Sequence, residues 1–384
     1  MLERLYRIFT SLRLTVALLG LGLVLVFWGT LAQVHRGLYD VQGEFFRSFL
    51  IYWGPKGASW KIPVFPGGYL IGGVLLLNLI ASQLRRFSFS ASKTGLWMVH
   101  VGLILLLLGQ LLTDLLSRES SLHLREGETR NYSETEREAE LAVIDATDPN
   151  SDKVVAISQG VLAREKSIRP GDLPFTIQVK QFFGNSVVQN RVAGSATPAA
   201  ATQGIGPRAI VQGVPRVTEM DKRDVPSAVV EIETPQGSLG TWLVSEYVEQ
   251  PQAFTCNNRT YQIALRPRRH YKPYSIQLVK FEHDVYPGTD IPKNFSSLVQ
   301  VVNPSQRESR EVLIYMNQPL RYEGKTFYQA SFGKNDTLSV LSVVENPGWL
   351  LPYVSCVLVS LGLLVHFAIV LRRSLKRRQD KKEG

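Results

Sequence analysis

Cysteine is nearly missing from this chain: 384 residues contain two, Cys256 and Cys356. They fall in different environments, one in a polar segment and one in an apolar run, so no bridge between them is expected. No Cys-x-x-Cys occurs, which argues against a thiol–disulfide oxidoreductase or a cysteine-ligated zinc site. Other chemistry-bearing patterns are missing as well. There is no nucleophile elbow, no phosphate loop and no His-Glu-x-x-His. Asp and Glu are scattered without a recognisable catalytic pairing. A self-sufficient enzyme is therefore disfavoured.

Lys and Arg are also missing from four long windows, 14–33, 67–84, 94–116 and 349–371, where Asp114 is the only acid. Each window is long and apolar enough to cross a bilayer, which takes about 20 residues at 1.5 Å apiece. The first resembles a signal peptide, but its apolar run is longer than usual and Thr30-Leu31-Ala32 is a poor cleavage signal. It reads as a retained anchor.

The net charge of +10 suggests nucleic acid until its location is considered. Segment 117–348 holds 26 Lys+Arg against 27 Asp+Glu, a balance of −1. The excess lies in 1–13, in the short 85–93 turn and in the tail 372–384. Four successive crossings put these three on one side, the positive-inside pattern. The basic character thus reports topology and attraction to anionic lipid, and excludes a nucleic-acid partner. Both termini are expected in the cytoplasm, with 34–66 and 117–348 on the other side.

The expected organisation is a three-helix membrane region over 1–116, a β domain over 117–348, a fourth span over 349–371 and a basic tail over 372–384. Loop 34–66 is aromatic (Tyr39, Phe45, Phe46, Phe49, Tyr52, Trp53 and Trp60) and should lie along the membrane interface, where Trp and Tyr are favoured. Asn78 inside the second span should hydrogen-bond a neighbouring helix. From 117 onward short apolar runs alternate with turn residues. Ser275-Ile-Gln-Leu-Val-Lys-Phe-Glu282 shows the period of two of a half-buried strand. The fold class is therefore an α-helical transmembrane bundle, 3+1, carrying a large, mostly antiparallel β domain. Segment 191–209, rich in Ala, Gly, Thr and Pro, is expected to be an exposed flexible loop.

Two histidines interrupt the apolar runs. His100 lies about 9 Å into the third window and His366 about 8 Å from the matching end of the fourth, at 1.5 Å per residue. Two imidazoles at one depth on antiparallel helices could clamp a planar iron macrocycle, since neutral imidazole is a strong axial ligand of haem iron. The blander alternative is that each ring caps a carbonyl or reaches the headgroups. His35 and His123 form a weaker second pair. His270 and His283 show no ligand pattern.

The layout, together with Val279-Lys-Phe-Glu-His-Asp-Val-Tyr-Pro-Gly-Thr-Asp-Ile-Pro-Lys-Asn-Phe-Ser-Ser297, Tyr315-Met-Asn-Gln-Pro-Leu-Arg-Tyr-Glu-Gly-Lys-Thr-Phe-Tyr-Gln-Ala-Ser331 and Asn346-Pro-Gly-Trp-Leu-Leu-Pro-Tyr353, resembles the ResB-type proteins of system II cytochrome c maturation. In residue detail the likeness is strong over about 279–371. It implies a non-catalytic subunit of a cytochrome c synthase (haem lyase) complex in a bacterial inner membrane. It further implies haem b, transiently bound, a CcsA-type haem-handling membrane protein, apocytochrome c and a thioredoxin-like thiol reductant as partners. His100 matches the family's histidine implicated in haem entry; His366 rests on depth alone. The β domain then serves as a docking surface, with Glu282, His283 and Asp284 as contact residues. A membrane-anchored envelope scaffold that binds no haem is the alternative.

Overall fold

The computed structural model describes residues 2–55, 60–85, 90–148, 151–192, 198–219, 222–289, 292–333 and 337–383. The chain divides into two compact units. One comprises Met1–Arg118, Thr218–Met220 and Glu345–Gly384; the other comprises Glu119–Val217 and Asp221–Val344.

The first unit begins with a helix that the hydropathy pattern did not announce, α1 (Leu2–Phe9), followed by α2 (Leu12–Arg36). Ser11 separates them: it has extended backbone and caps α2 by accepting from the Arg13 amide. Asn78 explains the break. Buried on the later helix α4 (Gly68–Arg85), it donates to the carbonyls of Phe9 at 2.6 Å and Ser11 at 3.3 Å. Its Oδ1 accepts from Thr15 at 2.6 Å. An intramembrane amide is thus fully used in joining two helices.

The 34–66 connection is folded. Gly37 turns the chain into the short helix α3 (Leu38–Val41), a π-helical turn follows over Gln42–Phe46, and strands β1 (Leu50–Trp53) and β2 (Ile62–Pro66) form an antiparallel hairpin. Val41, Phe45 and Ile51 pack with Leu18, Leu25 and Ile71 in one core. Trp28 meets the Phe45 and Phe65 rings edge-on. Then comes α5 (Thr94–Leu116). Tyr69 donates to Asp114 near its end, and Arg47 pairs with the same carboxylate at 2.8 Å.

The second unit is antiparallel β. In chain order its strands are β3 (Arg118–Arg125), β4 (Thr129–Asp145), β5 (Lys153–Ser158), β6 (Ser167–Ile168), β7 (Thr176–Phe183), β8 (Ser186–Asn190), β9 (Ala209–Gly213), β10 (Ser227–Thr234), β11 (Gly237–Ser245), β12 (Gln252–Cys256), β13 (Arg259–Val285), β14 (Pro292–Asn303), β15 (Glu308–Tyr315), β16 (Leu320–Tyr322), β17 (Lys325–Phe332) and β18 (Leu338–Glu345). A short helix, α6 (Gln159–Arg164), follows β5 directly.

Two cores share the long strand β13. Tyr261, Ile263 and Leu265 face one core with β7, β10 and β11; Tyr274, Ile276 and Leu278 face the other with β14 and β18. The buried positions change from odd to even numbers along β13. Its pairing with β4 shifts register at Pro267/Arg268 and Tyr271/Ile276. The 191–209 expectation is corrected in part. Residues 193–197 lie outside the described residues, but Ala201 and Gly206 are buried, and Ala201 packs with Val229 and Leu243. Small side chains there permit close packing rather than mobility.

The chain returns as α7 (Leu351–Glu383), one helix that runs well past the apolar stretch ending at 371. It packs on α5 through glycine. A Cβ on Gly102 would stand 2.6 Å from Val359 Cγ2, and one on Gly362 would stand 2.8 Å from Met98 Cβ. Among the described residues four helices, α2, α4, α5 and α7, are long and apolar enough to cross a membrane. The protein is a membrane protein with a large antiparallel β domain.

Candidate functional site

His100 sits in the second turn of α5, and its neighbours decide which way it points. Gly95, Gly102 and Gly109, spaced by sevens, face α7. His100 lies two residues before Gly102, about 160° around the helix from that face at 100° per residue. It is half-buried, and its Nδ1 is 2.7 Å from the Leu96 carbonyl one turn earlier. A carbonyl oxygen can only accept, so Nδ1 carries the proton in this contact. Neutral imidazole held in that tautomer directs the Nε2 lone pair away from its own helix. Metal-bound histidines are commonly oriented through the opposite ring nitrogen in this way.

His366 occupies a different setting. A Cβ on Gly95 would run into the His366 amide and stand 2.6 Å from the Gly362 carbonyl. The His366 backbone is therefore level with Gly95, five residues before His100, an axial offset of about 7.5 Å. Its ring lies near Phe367, and its buried Nδ1 has no hydrogen-bond partner among the described residues.

The matching depth read from the sequence does not hold for the two backbone positions, which differ in level by more than a turn. His100 turns away from α7, while His366 follows the face toward α5. The helices also touch through backbone at Gly95, leaving no slot for a flat macrocycle between them. The pair does not fit a single porphyrin clamp in this arrangement. His100 taken singly does fit an axial ligand.

The remaining histidines are separate. His35 is exposed near the end of α2. His123 on β3 is half-buried, and burial lowers its pKa against the opposing pull of Glu134 and Glu136. His270 Nε2 meets Thr135 Oγ1 at 2.8 Å. Among the described residues no group of three or more His, Cys, Asp or Glu side chains could hold a metal ion.

At the expected docking segment, strand alternation splits the three residues. Glu282 and Asp284 are exposed, whereas His283 lies against the Phe332 ring at 4.2 Å beside the inward Phe281.

One feature of the β unit had no signal in the sequence. Glu246 follows β11 with its side chain 3% exposed, and Arg223 Nη1 is 3.1 Å from Oε2 at an angle that makes no hydrogen bond. Burial pushes its pKa up to about 7, Arg223 opposes this and Glu134 adds to it. The three residues are far apart in the chain, so no local spacing reveals them.

Residues 236–341 match the ResB-like family. Protein NrfI of Wolinella succinogenes is 26% identical over 296 residues, covering 76% of this chain and 29% of NrfI. Cytochrome c biogenesis protein CcsB of Crocosphaera subtropica is 33% identical over 97 residues, 25% of this chain and 21% of that protein. CcsB of Synechococcus elongatus is 31% identical over 96 residues, with the same coverage. The matched stretches thus span less than a third of these relatives.

Proposed function

Because residues 236–341 are ResB-like, we propose that this membrane protein is a non-catalytic subunit of a cytochrome c maturation complex that handles haem as cargo. The relation to proteins of cytochrome c biogenesis carries this reading. His100 is the residue assigned to the iron. Its Nδ1–H is committed to Leu96, which leaves Nε2 to donate its lone pair. The apolar α5 surface around it would shield the iron from water, while the reactivity belongs to the haem itself. His366 supplies an axial ligand only if α5 and α7 separate. The β unit, which has no convergent acid, base and nucleophile, docks a CcsA-type partner or apocytochrome c, with a thioredoxin-like reductant keeping the client thiols reduced.

The test is His100→Ala in membranes holding the partner subunit. Co-purified haem and cytochrome c maturation should fall while the protein stays inserted. Added imidazole should restore part of the activity by occupying the vacated space. His366→Ala made in parallel reports whether that ring is also used. The Leu96 contact alone satisfies the His100 N–H, and this favours one rival, a membrane-anchored scaffold without haem. Normal maturation by His100→Ala would decide for the scaffold.

The proposed placement is the bacterial inner membrane, termini inside and β unit outside. A reporter fused after Gly384 should behave as cytoplasmic and one inserted within 193–197 as extracytoplasmic. Equal behaviour at the two points overturns it.

A further inference from the structure

We propose that the β1–β2 hairpin is embedded in the membrane interface, its outer face in contact with the headgroup–acyl boundary of the lipid. At the base of the hairpin Ile51 is buried and Phe65 meets Trp28. The exposed remainder is not polar, as it would be on a hairpin facing water. Phe49, Tyr52, Trp53, Trp60, Ile62 and Val64, from both faces of the strands and from their ends, are each between 43% and 66% exposed. A sheet with one solvated side alternates apolar and polar residues; here both sides are apolar.

Three environments are open to such a face, and two conflict with the structure. Water would leave six apolar or aromatic side chains hydrated, which the hydrophobic effect opposes in proportion to the area left unburied. The hydrocarbon core conflicts with the backbone. Among the described residues β1 and β2 pair only with each other, so each keeps an outer row of amide and carbonyl groups that lipid chains cannot satisfy. The charged base of the segment conflicts with hydrocarbon too: Arg36 pairs with Glu44, and Arg47, largely exposed, pairs with Asp114. The interface accepts both requirements. It hydrogen-bonds free backbone and indole N–H groups while taking up aromatic faces, and Trp and Tyr concentrate there. The hairpin joins α2 to α4, two helices fit to span, which keeps it beside the bilayer. Core packing of Phe45 and Ile51 against Leu18, Leu25 and Ile71 fixes its position. The inference is independent of any role in haem handling.

The experiment uses the full chain in lipid vesicles and compares wild type with a Trp53→Phe/Trp60→Phe variant. Their difference in emission is the hairpin's own fluorescence, separated from the other four of the six tryptophans. That component should be lost when lipids brominated near the headgroup end of the chain are used. Lipids brominated near the methyl end should quench it less, and aqueous iodide should leave most of it. Quenching by iodide but not by bromolipid would place the hairpin in water. Quenching by neither would mean that another protein surface covers it. Either result overturns the proposal.

Discussion

Gly95 on α5 lies directly against the backbone of His366 on α7. Gly102 and Gly109 continue the contact against Val359 and Leu351. Without Cβ atoms on this face the helices approach to backbone contact, as small residues allow within a membrane.

Gly102→Leu should therefore force the α5–α7 pair apart and lower the thermal stability of the purified protein. Gly20→Ala is the control: a Cβ there meets nothing within 4 Å, and Ala favours the helix by up to ~1 kcal/mol. It should be neutral or stabilising. Equal loss in both variants would refute the packing argument, and thermal unfolding in detergent measures it.

Asn78→Leu should loosen α1 on α4, leaving Arg85 with Thr10 and the Tyr6 ring as the remaining tie. Three hydrogen bonds vanish and the Phe9 and Ser11 carbonyls lose a donor. The expected loss is about 1–2 kcal/mol, the scale of interhelical polar contacts in membranes. Spin labels on α1 and α4 should report a broader distance distribution; an unchanged distribution counts against the role given to Asn78.

Glu246 predicts an unusual pH dependence. Its folded-state pKa, about 7, lies above the ordinary carboxyl value of 4.5, so the native state holds the proton more tightly than the unfolded chain. Stability from this group is full below about 4.5 and declines as pH rises through about 7. Glu246→Gln removes the decline. Near pH 5 the two proteins should differ little; at pH 8 the variant should be more stable by roughly 3 kcal/mol, at about 1.4 kcal/mol per pKa unit. Denaturant titrations of the whole protein at both values decide, and parallel behaviour would count against a buried carboxylate.

At the end of β13, Glu282→Ala and Asp284→Ala should weaken co-purification with a partner or apocytochrome without lowering stability, because both side chains are exposed. His283→Ala should also destabilise, because its ring packs on Phe332. Loss of haem in an intact complex from either exposed variant would contradict the division of labour proposed here.

Much of the architecture was readable from residue chemistry. Bilayer crossing demands long runs without charge, so the four helices fit to span stand out in any window scan. Strand alternation made Ser275–Glu282 legible even though β13 extends far to either side. The site was readable only in part. His100 stands out because imidazole is rare in an apolar run, but its direction depends on which face of α5 meets α7. The glycines at 95, 102 and 109 carried that signal in their spacing, and it becomes decisive only beside Gly362 and Val359.

By itself the sequence determined what each segment can tolerate: lipid around 94–116 and 351–371, a β unit of balanced charge between them, and an imidazole where few are placed. Tertiary structure alone decided how those segments register. Depth counted from each helix end assumes that α5 and α7 begin at the same level, but glycine packing sets their relative slide, and it offsets the His366 backbone from that of His100 by more than a turn. The same holds for Glu246, Arg223 and Glu134. A buried carboxylate is a property of what surrounds it, and its surroundings come from three distant stretches of chain.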